Sequence, residues 1–185
     1  MMKFLIFFFL ILLINNNSYA SIKSKILNNL KKTNNISFKF KQKINKKEET
    51  GKCIIKYPKK IYCVYEDKYN KILVSDGTSL VIKSEKNRQY YRYSLKSTSL
   101  NILLNKKLLI KHIEEIEGKL INNKYYVFYL NTENNSIKIF FEKDTFNLIG
   151  WQTEDIYQNL SITFIYNLQI NKNVNENLFD LPEMH

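Results

Sequence analysis

The hydrophobic pattern changes its period near residue 35, and this change divides the chain into a helical start and a long region of strands. The apolar residues of the start are Ile22, Ile26, Leu27 and Leu30, and lysines and asparagines occupy the positions between them. This spacing predicts one amphipathic helix over residues 22–33. From residue 36 apolar positions alternate with lysines, which predicts a half-buried strand with Phe38 and Phe40 on its inner face.

Alternation then recurs almost to the end of the chain. The predicted strands cover residues 36–44, 50–57, 60–66, 71–75, 79–84, 89–94, 114–121, 124–131, 136–142, 147–153 and 160–170. In the last of them Phe164, Tyr166 and Leu168 are expected on one face. A helical patch interrupts the strands at residues 98–104, where Leu100, Leu103 and Leu104 share a face, and residues 108–113 extend or follow it.

The order of these elements predicts a mainly β, α+β fold. Consecutive strands are joined by turn signals such as Asp76-Gly77 and lack the spacing of βαβ units, so we expect an antiparallel meander. About eleven strands would curl into a barrel, or into a half-barrel with helices in its opening.

The two cysteines flank a predicted hairpin centred on Pro58. With that centre, Cys53 lies opposite Cys63 and Ile55 lies opposite Ile61, and opposed residues share one face of a sheet. An opposed pair of cysteines is within disulfide reach, and a shift of one residue would separate the pair. The cysteines are therefore either a cross-strand disulfide or two small residues of an apolar wall.

Candidate catalytic chemistry is sparse in this sequence. A catalytic thiol would need an activating base, and the histidines are His112 and the terminal His185. The cysteines and histidines match no familiar spacing of metal ligands, and no glycine-rich phosphate loop is present. The adjacent acids Glu48 and Glu49 fit a solvated strand end better than an acid–base pair. We expect neither an enzyme nor a metal or other cofactor.

Net charge and the N-terminal segment indicate the compartment. The charge of +12 comes almost wholly from lysine, with arginine only at positions 88 and 92 and no run of five basic residues, so we expect no nucleic-acid partner. An apolar run from Phe4 to Ile14 follows Lys3 and precedes Ser18-Tyr19-Ala20. This pattern predicts a signal peptide over residues 1–20, cleaved after Ala20, and a retained anchor is the alternative. Export would allow a disulfide to persist.

Several short motifs follow one another along the chain. They are Phe40-Lys41-Gln42, Gly51, Tyr57-Pro58-Lys59-Lys60-Ile61, Val74 through Val81, Thr98-Ser99 with Leu103-Leu104, and Leu178 through Pro182. In this order they resemble the patterns F-x-Q, a strand-opening glycine, R-P-x-x-F/Y, V-S-D-G-x-x-L-W, T-P-x-x-L-L and L-F-x-F/L-x-P of the LolA family of periplasmic outer-membrane lipoprotein carriers. The resemblance therefore runs in order through residues 21–185, which we expect to form one carrier domain.

The resemblance implies an unclosed antiparallel barrel whose hollow shelters acyl chains beneath a helical lid. The implied cavity wall comprises Phe38, Phe40, Ile55, Tyr57, Ile61 and Tyr65. The implied lid residues are Leu100, Leu103 and Leu104. The implied partners are outer-membrane lipoproteins, an inner-membrane ABC release complex and an outer-membrane acceptor, which a monomeric carrier would connect across the periplasm. The alternative is a related periplasmic protein that carries another lipid or senses envelope lipoproteins.

The sequence departs from the family pattern at three positions. The family arginine that holds the lid closed is replaced by Tyr57, whose hydroxyl either bonds a lid carbonyl or only packs. The adjacent Lys56 is expected on the opposite face. Two family tryptophans are replaced by Cys63 and Val81. How the lid is held is therefore the open question.

Overall fold

The computed structural model describes residues 17–133, 135–154 and 159–184. Most of the predicted signal peptide, residues 1–16, lies outside the described residues. Helix α1 comprises Asn17–Lys32, so it begins before the predicted helix and ends one residue earlier. Its last turn carries Lys31 and Lys32, which favour the negative end of the helix dipole. Ile26 and Leu30 are buried in the hydrophobic core, as the spacing predicts.

Eleven antiparallel strands form a single sheet. They are β1 (Asn35–Ile44), β2 (Lys47–Lys56), β3 (Lys60–Tyr65), β4 (Lys71–Asp76), β5 (Ser79–Ser84), β6 (Gln89–Ser94), β7 (Lys119–Ile121), β8 (Tyr125–Asn131), β9 (Ser136–Glu142), β10 (Leu148–Glu154) and β11 (Leu160–Ile170). The order across the sheet is β6-β5-β4-β3-β2-β1-β11-β10-β9-β8-β7. The sheet is unclosed, because β6 and β7 form its two edges, and the predicted fold class is confirmed.

Three short helical segments lie between β6 and β7. They are a 3-10 turn (Leu95–Ser97), helix α2 (Leu100–Leu104) and helix α3 (Lys106–Glu115). Asn105 separates the two α-helices, and its side chain caps α3 by accepting a hydrogen bond from the amide of Leu108. Because α3 continues to Glu115, strand β7 is shorter than the predicted strand over residues 114–121. We call α2 and α3 together the lid.

The inner face of the sheet, the lid and α1 enclose the core. Phe38, Phe40, Ile55 and Phe128 alternate toward this core along their strands. The lid contributes Leu103 and Leu104, both fully buried. We call the face of the sheet that carries these side chains the inner face, and the opposite face the outer face.

The C-terminal segment covers part of the outer face. A 3-10 turn (Glu176–Phe179) contacts β3 and β4, and Phe179 is buried there. Lys60 lies over the Phe179 ring, and Lys56 and Lys60 both pair with Glu176. Val74 and Val81, which alternate with the core residues of their strands, are buried on this side. The tail therefore shields the outer face of the β3–β5 half of the sheet.

Strand β11 does not keep one face throughout, which corrects the sequence prediction. The register with β1 shifts between Ser37 and Lys39, and Asn167 has a left-handed φ of 54°. This bulge inserts one extra residue into β11 and reverses the alternation. Leu168 consequently packs on the core, whereas Phe164 and Tyr166 lie on the outer face.

Candidate functional site

The β2–β3 hairpin has the register that its symmetry predicts. Cys53 pairs with Cys63, and Ile55 pairs with Ile61. The two cysteines have Cα atoms 4.1 Å apart and form a disulfide. All four side chains are buried on the inner face. Since both sulfur atoms are bonded to each other, neither is available as the catalytic nucleophile considered above.

This disulfide lies in the wall of a hollow of about 210 Å³ between the sheet and the lid. The apolar lining includes Phe40, Cys53, Ile61, Cys63, Leu73, Ile82, Leu100 and Trp151. These residues come from β1, β2, β3, β4, β5, β10 and α2. The hollow is thus assembled across the sheet from strands that are distant in the sequence.

The other end of the hollow is polar. Its lining includes Gln42, Glu49, Lys71, Thr153, Ser161 and Thr163. The hydroxyl of Thr163 donates to Oε1 of Gln42 over 3.4 Å. Hydroxyl and amide groups beside an apolar surface suit a ligand with an apolar chain and a polar end.

Glu49 is the best-buried acid of this polar end, which contradicts the expectation that it lies in solvent. Only 7% of the residue is exposed, because β2 begins at Lys47 and turns Glu49 inward. Its carboxylate accepts from Lys47 and Lys71, each at 2.6 Å. Burial alone would raise the pKa of Glu49, but the hydrogen bonds and charges of the two lysines lower it below its usual value.

The ammonium of Lys71 also lies 3.8 Å from the centre of the Tyr65 ring. This distance is typical of a cation–π contact. Burial, together with the charges of Glu49 and Asp67, raises the pKa of Tyr65, so its hydroxyl stays protonated. Glu49, Lys71 and Tyr65 therefore form one connected group at the polar end of the hollow.

The predicted wall residues divide into three groups. Phe40, Ile61 and Tyr65 line the hollow, whereas Phe38 and Ile55 lie in the surrounding core. Tyr57 lines a separate cavity of about 20 Å³ beside α1, so the structure does not bring it to the hollow. Whether any of these residues binds lipid remains a prediction.

The predicted lid residues also divide. Leu100 lines the hollow, whereas Leu103 and Leu104 are fully buried in the core. The lid is tied to the hairpin by a backbone hydrogen bond of 2.8 Å from the amide of Lys59 to the carbonyl of Leu104. The turn at Pro58 thus meets the junction between α2 and α3.

A lysine on the lid makes the second attachment. The ammonium of Lys106, at the start of α3, donates to the carbonyl of Thr33 at 2.8 Å and reaches that of Lys31 at 3.4 Å. It also lies 5.6 Å from the Tyr57 ring centre. Burial raises the pKa of Tyr57 above its usual value, so the neutral ring presents its face to the cation. Tyr57 therefore packs beneath a lid lysine.

Sequence reasoning missed several residues of the site. Trp151 packs edge-on against Phe38, with ring centres 6.1 Å apart. Its position directly after Gly150 in an alternating strand was the available signal, since a lone tryptophan on an inner face is a natural wall residue. Glu49 and Lys71 carried no comparable signal, because they lie on β2 and β4, which are separated by β3, and their side chains meet across that strand.

The site contains no recognisable metal centre in the part of the chain that the structure describes. No three histidine, cysteine or carboxylate side chains come together there. Among the same residues, no helix combines the length and apolar character that a membrane crossing requires. Apolar burial and hydrogen bonding are the chemistry that the hollow offers.

Comparison with known proteins identifies a family. Residues 31–182 match the family model of the outer membrane lipoprotein carrier protein LolA. A search of curated proteins gives no significant match.

Solved structures are similar to this chain at very low sequence identity. An uncharacterized conserved protein from Thermus thermophilus is 6% identical, with a TM-score of 0.51 over 90% of this chain and 96% of that one. A LolA superfamily protein from Nitrosomonas europaea is 9% identical, with a TM-score of 0.48 over 88% and 97%. A DUF1329 family protein from Desulfovibrio piger is 9% identical, with a TM-score of 0.47 over the same shares.

Proposed function

Because the chain belongs to the family of the outer membrane lipoprotein carrier protein LolA, we propose that it carries outer-membrane lipoproteins across the periplasm. In this proposal the protein shelters the acyl chains of a lipoprotein in its hollow. It receives the cargo from an inner-membrane ABC complex and passes it to an outer-membrane acceptor. The chain acts as a monomer, and residues 1–20 direct its export and are removed.

The observation that carries the proposal is the lidded apolar hollow. Its lining is apolar at one end, and Leu100 of the lid closes over it. Each methylene group buried there gains about 0.8 kcal/mol relative to water. Leu100 loses its own apolar contacts when the lid opens. This cost offsets part of the free energy gained by burying acyl chains, so that the cargo can be released. Binding followed by release is what a carrier needs.

The polar end suits the glyceryl-linked head of a lipoprotein. Gln42, Thr153 and Ser161 present amide and hydroxyl groups there. Ester and amide carbonyls at the start of the acyl chains accept hydrogen bonds from such groups. In this arrangement the chains extend toward Trp151 and Leu73, and the polypeptide of the cargo stays outside.

The proposal predicts that lipoprotein remains bound during purification. The full-length gene is expressed in a Gram-negative host, and the processed protein is purified from the periplasm without detergent. Mass spectrometry of the bound material should find triacylated lipoprotein. We expect Leu100→Glu to abolish this co-purification, because a carboxylate beneath the lid is costly to bury beside acyl chains.

The matched control is Val64→Glu, which places the same charge on the exposed outer position of β3. Circular dichroism establishes that both variants are folded. Lipoprotein bound to the wild type and Val64→Glu but absent from Leu100→Glu supports the proposal. Recovery of only phospholipid or fatty acid from the wild type overturns it in favour of a carrier of another lipid.

A further inference from the structure

The outer face of the sheet is shielded on one half only. The C-terminal tail covers the β3–β5 half, where Phe179 is buried. On the other half, aromatic side chains of β8, β9 and β11 lie beyond the tail. We call this set the outer aromatic face, and it consists of Tyr125, Tyr129, Phe140, Phe164 and Tyr166.

Three of these rings form a cluster above a glycine. Phe140 and Phe164 stack with centres 5.6 Å apart, and Tyr125 lies 5.5 Å from Phe140. Gly150 of β10 is the register partner of both phenylalanines, and a Cβ atom there would lie 3.3 Å from the Phe140 ring. The glycine thus allows two rings from different strands to meet over β10.

The cluster remains open to solvent at its outer side. Phe164 is 43% exposed and Tyr166 is 46% exposed, although both belong to a central strand of the sheet. Large apolar side chains grouped on an otherwise polar surface commonly mark an interaction site.

Lysines border the outer aromatic face along the sheet register. Lys39 lies opposite Tyr166, Lys41 opposite Phe164, and Lys138 opposite Tyr129. Lys52 of β2 continues the row of Lys39 and Tyr166, and Lys43 of β1 lies in the next row, opposite Ile162 and Glu48. Lys41 pairs with Glu48, whereas the other four lysines have no ion pair within the described residues. The further acids on this face are Glu142 beside Tyr125 and Glu154 at the end of β10.

We propose that the outer aromatic face, with its bordering lysines, docks the protein on an anionic lipid surface. A membrane interface has two layers: negative headgroups on the outside and, below them, a layer that accommodates amphipathic aromatic side chains. The bordering lysines match the first layer, and the tyrosines and phenylalanines match the second. The face is the surface of a broad sheet whose exposed rings and lysines lie on several strands, which suits an extended lipid surface. The docking leaves the lid on the opposite side of the sheet.

Vesicle flotation tests the proposal with the processed full-length protein. The probes are phosphatidylcholine vesicles with and without 30% phosphatidylglycerol. We expect binding to the anionic vesicles that weakens as salt is raised, because exposed lysines act through a screened field. Binding to neither vesicle, or equal binding to both, overturns the proposal.

Matched variants locate the binding surface. Tyr166→Ser should weaken binding, whereas Tyr91→Ser, which alters a tyrosine also 46% exposed on edge strand β6, should not. The double variant Lys39→Gln/Lys43→Gln should bind the anionic vesicles about tenfold or more weakly than the wild type. The control is Lys96→Gln/Lys107→Gln, which changes one lysine near the lid and one on it and should bind as the wild type does. If each variant and its matched control weaken vesicle binding equally, the outer aromatic face is not the binding surface.

The same variants keep this inference separate from the proposed function. Lipoprotein co-purification should be unchanged in Tyr166→Ser, since its side chain lies outside the hollow. If the wild-type protein is purified without bound lipoprotein, the carrier function is overturned. That result does not affect the vesicle-binding measurement, which tests the docking face separately.

Discussion

Glu48 and Glu49 show how strongly one residue step changes the environment of a carboxylate in a strand. Glu48 points outward and pairs with Lys41 at 2.8 Å, whereas Glu49 points into the hollow between Lys47 and Lys71. The folded protein lowers the pKa of Glu49. A carboxyl with a lowered pKa stabilises the fold above its unfolded pKa, and this contribution disappears as the pH falls through the folded pKa.

We therefore predict that Glu49→Gln destabilises the protein by about 2 kcal/mol at pH 7, because it removes a charge-assisted acceptor from two lysines. The difference between the variant and the wild type should shrink as the pH falls below the usual glutamate pKa and through the lowered pKa of folded Glu49. Urea unfolding from pH 3 to 7 measures both effects. Glu48→Gln is the control, and we expect little change, because this side chain is solvated. Equal stability of the two variants at pH 7 would contradict the buried role of Glu49.

Among the elements, the β2–β3 hairpin carries the clearest energetic test. The disulfide spans 10 residues of sequence, so a chain-entropy model gives at most about 3 kcal/mol of stabilisation. We predict that dithiothreitol lowers the urea midpoint of the wild type and leaves that of Cys53→Ala/Cys63→Ala unchanged. A wild-type midpoint that does not respond to the reductant, in protein that mass spectrometry shows to be reduced, would mean that the bridge adds no stability.

The periodicity of apolar residues predicted most of the strands and helices, because this pattern can be read from residues that are close together in the sequence. The register of the hairpin followed from its symmetry about Pro58, and ten strands lie close to their predicted bounds. Strand β11 was predicted with one face because Ile162, Phe164, Tyr166 and Leu168 alternate without interruption. The bulge at Asn167 depends on pairing with β1, so the alternation of β11 alone could not reveal it.

At the scale of the whole molecule, the order of the strands and the position of the lid decide which residues meet. The apolar wall was partly predictable, since Phe40, Ile61 and Tyr65 were assigned to the hollow and line it. Glu49 and Lys71 were not predicted there, because β2 and β4 are separated by β3 in the flat order of strands. The lid attachment through Lys106 was also missed, since its acceptors, the carbonyls of Lys31 and Thr33, lie at the C-terminal end of α1 in a distant part of the sequence.

The closed molecule has too little space for a long acyl chain. A cavity of about 150 Å³ holds one benzene-sized molecule, so the hollow of about 210 Å³ holds little more. In the proposed function, binding of a long acyl chain therefore requires the lid to move away from the sheet. The apparent affinity for a long chain then depends on the fraction of molecules that have an open lid.

We predict that Lys106→Met raises this open fraction, because methionine keeps the apolar stem but cannot donate to the carbonyls of Lys31 and Thr33. Amides of α2 and α3 should exchange hydrogen faster, and a fluorescent sixteen-carbon fatty acid should bind about three- to tenfold more tightly. Lys107→Met, on the exposed neighbour, should behave as the wild type in both measurements. Faster exchange confined to α2 and α3, with the sheet amides unchanged, would identify lid opening rather than general destabilisation. If the two variants exchange alike, Lys106 does not hold the lid.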